Sequence, residues 1–523
     1  MLPRAKTAGL LTILLTLCLL CSSCANGGIP IHDEQPSFSL PPVGLQYAPP
    51  VGDAALEYTA ETVLYLPMHD GSRLISFTED VVFSVARPQA ESLVLALLNH
   101  PGNGQASPVG GSIPLTIYGT NPVEVSRDVV TVNLAASALQ LERKAYYLAC
   151  QAITNTLTKL PGIHYVNFLV MDKPIGLDIA GALPSGAFSR SVGEDIGAVY
   201  DQLLSQRADR GSEFLNRRLS TTVTLYFPLA DMDGLLPEAR SVSFDNQTPS
   251  VMIMRLLEEL SIGSQHFFNA PTVPLLRDML LQEPALFDAP NGGGQIVSLQ
   301  FAHNLDDALM AFGLTRAQSM ASLCYTLCTF LPNVAGISVS IGGEMISDVY
   351  LGENTTRDFL LFPGGIQSRS VYAPFLLDLC TLYFADASGQ KLISVERAVP
   401  YHQTTNPRTL LLELVKGPLS TDSTQNANPI MPPNVLQDSD VFGFSLQDDL
   451  LLVHFTQTFE ELGRNTSPQE DRLLAYGLVN TLAAIPQIRR ICFFVAGSLP
   501  TNFSGEIYWA GDFYPNIGLV QNQ

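Results

Sequence analysis

Basic side chains are scarce in this chain. Twenty-eight Lys and Arg face 49 Asp and Glu across 523 residues, a formal charge of −21. A surface of that sign repels a phosphate backbone, so nucleic acid is excluded as a partner. Charge of either sign is sparse as well. Only 15% of residues are charged and 46% are hydrophobic, which excludes bulk disorder. After the first 24 residues no run approaches the ~18 uncharged apolar residues of a membrane span. Catalytic signatures are missing too. There is no Gly-x-Ser-x-Gly, no Ser-x-x-Lys with its partner motifs, no His-Glu-x-x-His and no phosphate-cradling Gly-x-x-x-x-Gly-Lys. The chain is therefore expected to be no enzyme and to need no cofactor or metal.

What is present begins with an address. Arg4 and Lys6 precede an apolar stretch, Ala8 to Leu20. Such a stretch is long enough for a secretion signal but too short to cross a bilayer, which takes ~20 residues. It ends in Leu20-Cys21-Ser22-Ser23-Cys24, which resembles a bacterial lipobox. That resemblance implies cleavage after residue 23 and a diacylglycerol on Cys24. Two acyl chains on one cysteine suffice for stable anchoring. Residues 1–23 are thus expected as a lipoprotein signal peptide. Residues 24–56, rich in Gly and Pro, are expected as a flexible tether.

Beyond the tether the chain repeats itself. Leu64-Tyr65-Leu66, Leu225-Tyr226-Phe227 and Leu382-Tyr383-Phe384 each end a strand-like run. Each is followed by an Asp/Gly turn and a second apolar stretch, the pattern of a hairpin. A short helical stripe comes next, for example Ile253, Leu256, Leu257 and Leu260. Then a strand alternates Val130, Val132, Leu134 with Thr131 and Asn133. Its counterparts carry Val297, Leu299, Phe301 and Leu451, Val453, Phe455. The alternation predicts a sheet covered on one side only. A longer helix ends at Pro161, Pro332 and Pro486. Counting back from these prolines aligns Ile153 and Leu157 with Cys324 and Cys328, and with Leu478 and Leu482. A last strand carries Val166, Phe168, Val170 and their counterparts.

Each unit reads β-β-α-β-α-β, an α+β layer with two helices on one sheet. The domains are expected at 57–178, 218–348 (the most divergent copy) and 376–500. A linker with a helix over Asp201 to Leu219 fills 179–217, a second linker fills 349–375, and 501–523 form a tail. Both linkers contain Gly-x-x-Ser-Arg-Ser-Val, around Arg190 and Arg369. This recurrent segment is expected to dock on the preceding unit.

Thr156-Leu157-Thr158-Lys159-Leu160-Pro161 and Thr481-Leu482-Ala483-Ala484-Ile485-Pro486, with the tyrosine hairpins and Lys416-Gly417-Pro418, resemble the GerM (GerMN) domain of spore germination and sporulation proteins. The resemblance implies an exported, often lipid-anchored, non-enzymatic protein of a Gram-positive cell envelope. Its partners would be envelope proteins or peptidoglycan, and its place the outer face of the cell membrane. A substrate-binding lipoprotein of an importer is the main alternative, and a cell-wall hydrolase a more distant one.

The remaining candidates have plain explanations. With Cys18 and Cys21 lost and Cys24 lipidated, five cysteines remain: Cys150, Cys324, Cys328, Cys380 and Cys492. An odd number argues against a full disulfide framework. Cys324 and Cys328 fall on apolar positions of a helix and read as core. His69 lies in a hairpin turn, and His454 replaces Asn133 and Gln300 on a polar strand face. Asp231-Met232-Asp233-Gly234 lacks the rest of a calcium loop and reads as a turn. Asn291-Gly292-Gly293-Gly294 reads as a loop. Tyr65, Tyr226 and Tyr383 recur with side chains opposite their apolar neighbours, so together they form the candidate interaction surface.

Overall fold

The computed structural model describes residues 47–521 except 179–180, 182, 192, 194, 209–212, 214, 231–233, 268–269, 271–272, 291, 352–358, 425, 464–465 and 501–506. The signal peptide and residues 24–46 of the expected tether, Cys24 included, lie outside the described residues, as does the turn at Asp231, Met232 and Asp233.

The first unit opens with a long antiparallel hairpin, β1 (Glu57–Pro67) and β2 (Leu74–Ser84). Its turn is built by Asp70, whose carboxylate accepts from the Ser72 N–H at 3.0 Å while Gly71 takes φ +65°. Helix α1 (Gln89–Asn99) follows, then β3 (Val123–Ser126), β4 (Val129–Leu134), α2 (Arg143–Leu157), β5 (Tyr165–Val170) and β6 (Phe188–Ser189). The strands β3-β4-β5-β6 form one sheet in that order, with β4 and β5 parallel around α2. A connecting helix α3 spans Ile196–Ala208, earlier than the Asp201 to Leu219 expected.

The second unit repeats the plan: β7 (Leu219–Pro228), β8 (Leu235–Phe244), α4 (Pro249–Ile262), β9 (Ala285–Asp288), β10 (Gln295–Phe301), α5 (Leu305–Ala311), α6 (Arg316–Phe330) and β11 (Val334–Ile341). Short strands β12 (Glu344–Met345), β13 (Asp348–Tyr350), β14 (Phe359–Leu361) and β15 (Ile366–Gln367) trail it. The third unit comprises β16 (Leu377–Asp386), β17 (Leu392–Pro400), α7 (Pro407–Val415), β18 (Ala427–Asn428), β19 (Val441–Gln447), β20 (Leu450–Phe455), α8 (Thr458–Leu462), α9 (Pro468–Leu482) and β21 (Arg490–Val495). Its helix α9 begins with a capping box, Ser467 and Glu470, and a proline at the first turn.

The α+β class is as expected, but the first hairpin of each unit forms a sheet apart from the rest rather than part of one sheet, and each unit carries an unexpected strand before its inner one. β3, β9 and β19 each pair antiparallel with the strand that follows. Two of these hairpins turn on Arg127-Asp128 and Asp448-Asp449, with Arg127 at φ +35° and Asp448 at φ +55°. Neither turn carries the glycine that marks a tight hairpin in sequence.

The sheets of the outer units are covered on both sides, not one. Every residue of β4 and of β20 is buried. In the first unit the second covering is β7 of its neighbour: the Asn167 amide donates to the Thr224 hydroxyl at 2.7 Å. In the third unit it is Tyr47, whose ring meets Phe494 edge-on at 5.1 Å. Residues 47–56, expected as the end of the tether, run along this unit. The Val51 N–H donates to the Phe444 carbonyl at 2.8 Å, and Asp53 pairs with Arg408 at 2.7 Å.

Each unit holds its own apolar core, and the units interlock at the β3-β4 hairpin. Glu124 on β3 pairs with Arg369 from the second linker. At the tip, the Arg127 N–H donates to the Asp378 carboxylate of the third unit at 3.0 Å. No helix among the described residues is long and apolar enough to cross a membrane.

Candidate functional site

The three recurring tyrosines are placed by one device. The N–H of Tyr65, Tyr226 and Tyr383 donates to the hydroxyl of Thr156, Thr326 and Thr481, at 3.1, 3.2 and 3.0 Å. The threonines sit on α2, α6 and α9, so the bond ties each hairpin to the long helix beneath it. In the first unit Thr156 passes its own proton to the Ala152 carbonyl at 3.0 Å. This pairing corrects the alignment counted from the prolines. Thr326 lies six residues before Pro332, whereas Thr156 and Thr481 lie five before theirs. Cys324 and Cys328 therefore correspond to Thr154 and Thr158, and Leu323 and Leu327 occupy the positions of Ile153 and Leu157.

The tyrosine side chains do not form one shared surface. Tyr226 is 1% exposed, beneath Tyr325 and the Arg369 guanidinium. Tyr65 is half-buried and its hydroxyl accepts from Arg190 at 2.8 Å. Tyr383 is half-buried among Leu473, Tyr476 and Leu519. The arginines of the two repeated linkers thus dock on equivalent rings, 5.8 Å from the centroid of Tyr65 and 5.7 Å from that of Tyr226. The linker docking expected from the repeat is seen in backbone as well: β6 and β15 each add an antiparallel strand to the end of their unit's sheet.

An asparagine locks the added segment. The Asn155 amide accepts from the Ser191 N–H at 3.0 Å and donates to the Ser191 carbonyl at 2.8 Å. Asn480 makes the same two bonds with Asn516, at 2.8 and 3.3 Å. Residues 507–521, the described part of the expected C-terminal tail, are therefore part of the third unit. Phe513 bridges Ile491, and the fully buried Trp509 donates to Asp471 at 2.9 Å. In the second unit Tyr325 replaces the asparagine, and Arg369 stacks on its ring at 4.1 Å instead.

A second recurring device was missed in sequence. Arg240 on β8 and Arg397 on β17 each stand 14 residues after their unit's tyrosine. Both reach the end of the first helix. Arg240 donates to the carbonyls of Glu259 and Gly263, and Arg397 to those of Glu413 and Gly417. The last carbonyls of a helix lack intrahelical partners and carry partial negative charge, so a buried guanidinium satisfies both needs. In the first unit the position holds Glu79, paired with His100 at 2.8 Å. The fixed spacing after each tyrosine was the available signal.

The titratable candidates are spent or shielded. All five described cysteines are free and buried. Burial pushes the thiols of Cys380 and Cys492 up to about 12, and that of Cys150 higher still, so they are not poised as thiolates. Among the described residues no group of three or more His, Cys, Asp or Glu is placed to hold a metal. His69 is exposed in its turn and bonds Ser107 at 2.8 Å. His454 is stacked on Phe494 and burial pulls it down to about 4, so it is neutral near pH 7. Cys24 and Asn291 lie outside the described residues.

Open cavities lie at several boundaries between units, and two of them bear on function. One, of about 270 Å³, separates the second and third units over Leu236, Phe267, Leu379 and Val399, with Glu396 and Lys416 at its margin. The other, of about 580 Å³, lies where the first linker crosses onto β7.

Residues 63–176 and 381–499, within the first and third units, match a family model, Germane, described as sporulation and spore germination. The first and third units are Germane-like domains. The second unit falls between the two matches, yet keeps the same element order and the same tyrosine–threonine bond. Solved structures similar to the chain include the tandem GerMN domains of the sporulation protein GerM from Bacillus subtilis, at 17% identity over 60% of this chain and 99% of that one, with a TM-score of 0.21. A candidate lipoprotein from Clostridium perfringens is 20% identical over 26% of this chain and 87% of its own, with a TM-score of 0.18. The first GerMN domain of the same GerM protein is 14% identical over 26% of this chain and 96% of that one, at 0.18. No curated protein matches the chain.

Proposed function

We propose that this protein is a non-enzymatic, extracytoplasmic lipoprotein that binds or scaffolds other envelope components of a Gram-positive cell during sporulation or germination. The Germane matches carry the reading, since that family is described by sporulation and spore germination. The leader ending at Cys24 supports the anchor. The fate of the recurring polar side chains supports binding over catalysis. Thr156, Thr326 and Thr481, Asn155 and Asn480, and Arg240 and Arg397 are all buried and spend their hydrogen bonds on holding hairpins, helices and linkers together. The partners proposed are envelope proteins or peptidoglycan. An importer's binding protein closes two lobes on its ligand, whereas here Glu124–Arg369 and Arg127–Asp378 interlock three units, which weighs against that alternative.

The test is chemical cross-linking in intact cells followed by recovery of the full chain from envelopes. The wild-type chain should sediment with membranes and bring specific envelope partners, and a Cys24→Ala variant should lose the membrane association. Recovery of both from the culture medium, or release of soluble fragments from peptidoglycan by the purified chain, would overturn the proposal.

A further inference from the structure

The cavity of about 580 Å³ between the first linker and the second unit has an unusual lining for so acidic a chain. Three arginines, Arg190, Arg217 and Arg218, face it, and no Asp or Glu lines it among the described residues. Arg190 is held in place by its bond to the Tyr65 hydroxyl. Arg218 has one exposed partner, Asp245 at 3.4 Å, with side chains 73% and 84% exposed. An ion pair that open contributes little and is readily exchanged for a ligand. Arg217 is exposed with no ion-pair partner among the described residues.

The rest of the lining narrows the ligand. Hydroxyls come from Ser189, Ser191, Thr221 and Ser220, the last shared with Ser243, and an amide from Gln247, while the NH2 of Gln151 is committed to Asn155 and Ser189. An apolar floor is made by Leu177, Leu183, Phe188 and Leu203. The cavity falls within the ~300–1,000 Å³ typical of small-ligand sites, and like many of them it sits at a unit boundary. A bare phosphate polymer would use the arginines but has nothing for the apolar floor. A glycopeptide has all three chemistries: carboxylates for the arginines, sugar hydroxyls and amides for the polar wall, and acetyl and alanyl methyls for the floor. Guanidinium groups suit carboxylates through paired N–H donors.

We infer that this cavity is a binding site for a carboxylate-bearing glycopeptide of the cell wall. The inference rests on the extracytoplasmic reading above and names one partner within it. The segment that frames the cavity is the one that Asn155 clamps through Ser191, so the site depends on the linker being docked.

The experiment is calorimetric titration of the mature, lipid-anchored chain in detergent with disaccharide-tetrapeptide cut from peptidoglycan by a muramidase. Saturable binding is expected, weakened at high salt because the attraction is between exposed charges. An Arg217→Ala/Arg218→Ala double variant should bind at least about 10-fold more weakly, equivalent to the loss of about one charge-assisted contact. Both positions are exposed, so its unfolding midpoint should match the wild type. Arg316→Ala, a surface arginine paired to Asp306 in the second unit, should bind normally. No binding by the wild type, equal binding by the double variant, or binding of glycerol-phosphate oligomers in preference to the glycopeptide would overturn the assignment. Partners still recovered from intact envelopes would then show that this site had failed while the envelope role stood.

Discussion

The N–H of Tyr383 on β16 donates to the hydroxyl of Thr481 on α9 at 3.0 Å, across 98 residues of chain. Its equivalents join Tyr65 to Thr156 and Tyr226 to Thr326. A strand N–H turned toward a helix has no ladder partner there, and a buried unpaired donor is costly. The threonine on the helix answers that need in every unit.

Replacing Thr481 with Val keeps the shape of the side chain and removes the acceptor. Thr481 is fully buried, so the orphaned N–H should cost about 1–3 kcal/mol. Urea unfolding should show that loss for Thr481→Val and little for Thr481→Ser. Equal stability of the two variants would mean that the bond is incidental.

Arg397 is 3% exposed and donates to the Asp422 carboxylate at 2.8 and 2.7 Å as well as to the helix end. Arg397→Met takes the guanidinium away from two helix-end carbonyls and from the buried Asp422 carboxylate, which keeps the Leu419 N–H. The expected loss is about 3–5 kcal/mol, because breaking one side of a buried pair strands the other. Adding Asp422→Leu should return part of it. Thermal unfolding of the three proteins checks the order: wild type highest, double variant next, single variant lowest.

Two buried groups give opposite pH responses. Burial raises the Asp378 carboxyl to about 6, partly offset by the N–H donors of Arg127 and Leu379. The folded chain holds this proton after the unfolded chain has released it, so the contribution is complete below about pH 4 and is lost as pH rises through about 6. Asp378→Asn keeps the acceptor oxygen and should gain on the wild type between pH 4 and 7. Burial lowers His454 to about 4, so its contribution is complete above about pH 6.5 and is lost as pH falls through about 4. His454→Gln should flatten the acid limb. Stability curves that run parallel to the wild type would contradict both assignments.

The long alternating and helical segments were legible because burial is periodic. The apolar positions read on the last two strands of each unit face one another in parallel pairs, Val130 opposite Val166, Val297 opposite Ile337 and Leu451 opposite Ile491, a pairing that the alternation by itself does not give. β3 and β9 were hidden because each is four residues long, and the turns Arg127-Asp128 and Asp448-Asp449 lack glycine. The second helix alignment slipped by one because Pro332 is not equivalent to the other prolines. Tyr226 is buried by Tyr325 of its own long helix and Arg369 of the second linker, the second faces of the outer sheets by β7 and Tyr47, and Trp509 by docking on the third unit. No periodicity within one unit reports on what packs over it. The Arg240 and Arg397 caps were readable from their fixed distance to the tyrosines.

The most direct measurement of the functional account is the titre of heat-resistant spores, with germination of the survivors, in a strain lacking this gene. The account predicts a marked fall in one or both. A full-length copy should restore them and a Cys24→Ala copy should not. Parental titres and germination in the deletion strain would contradict it.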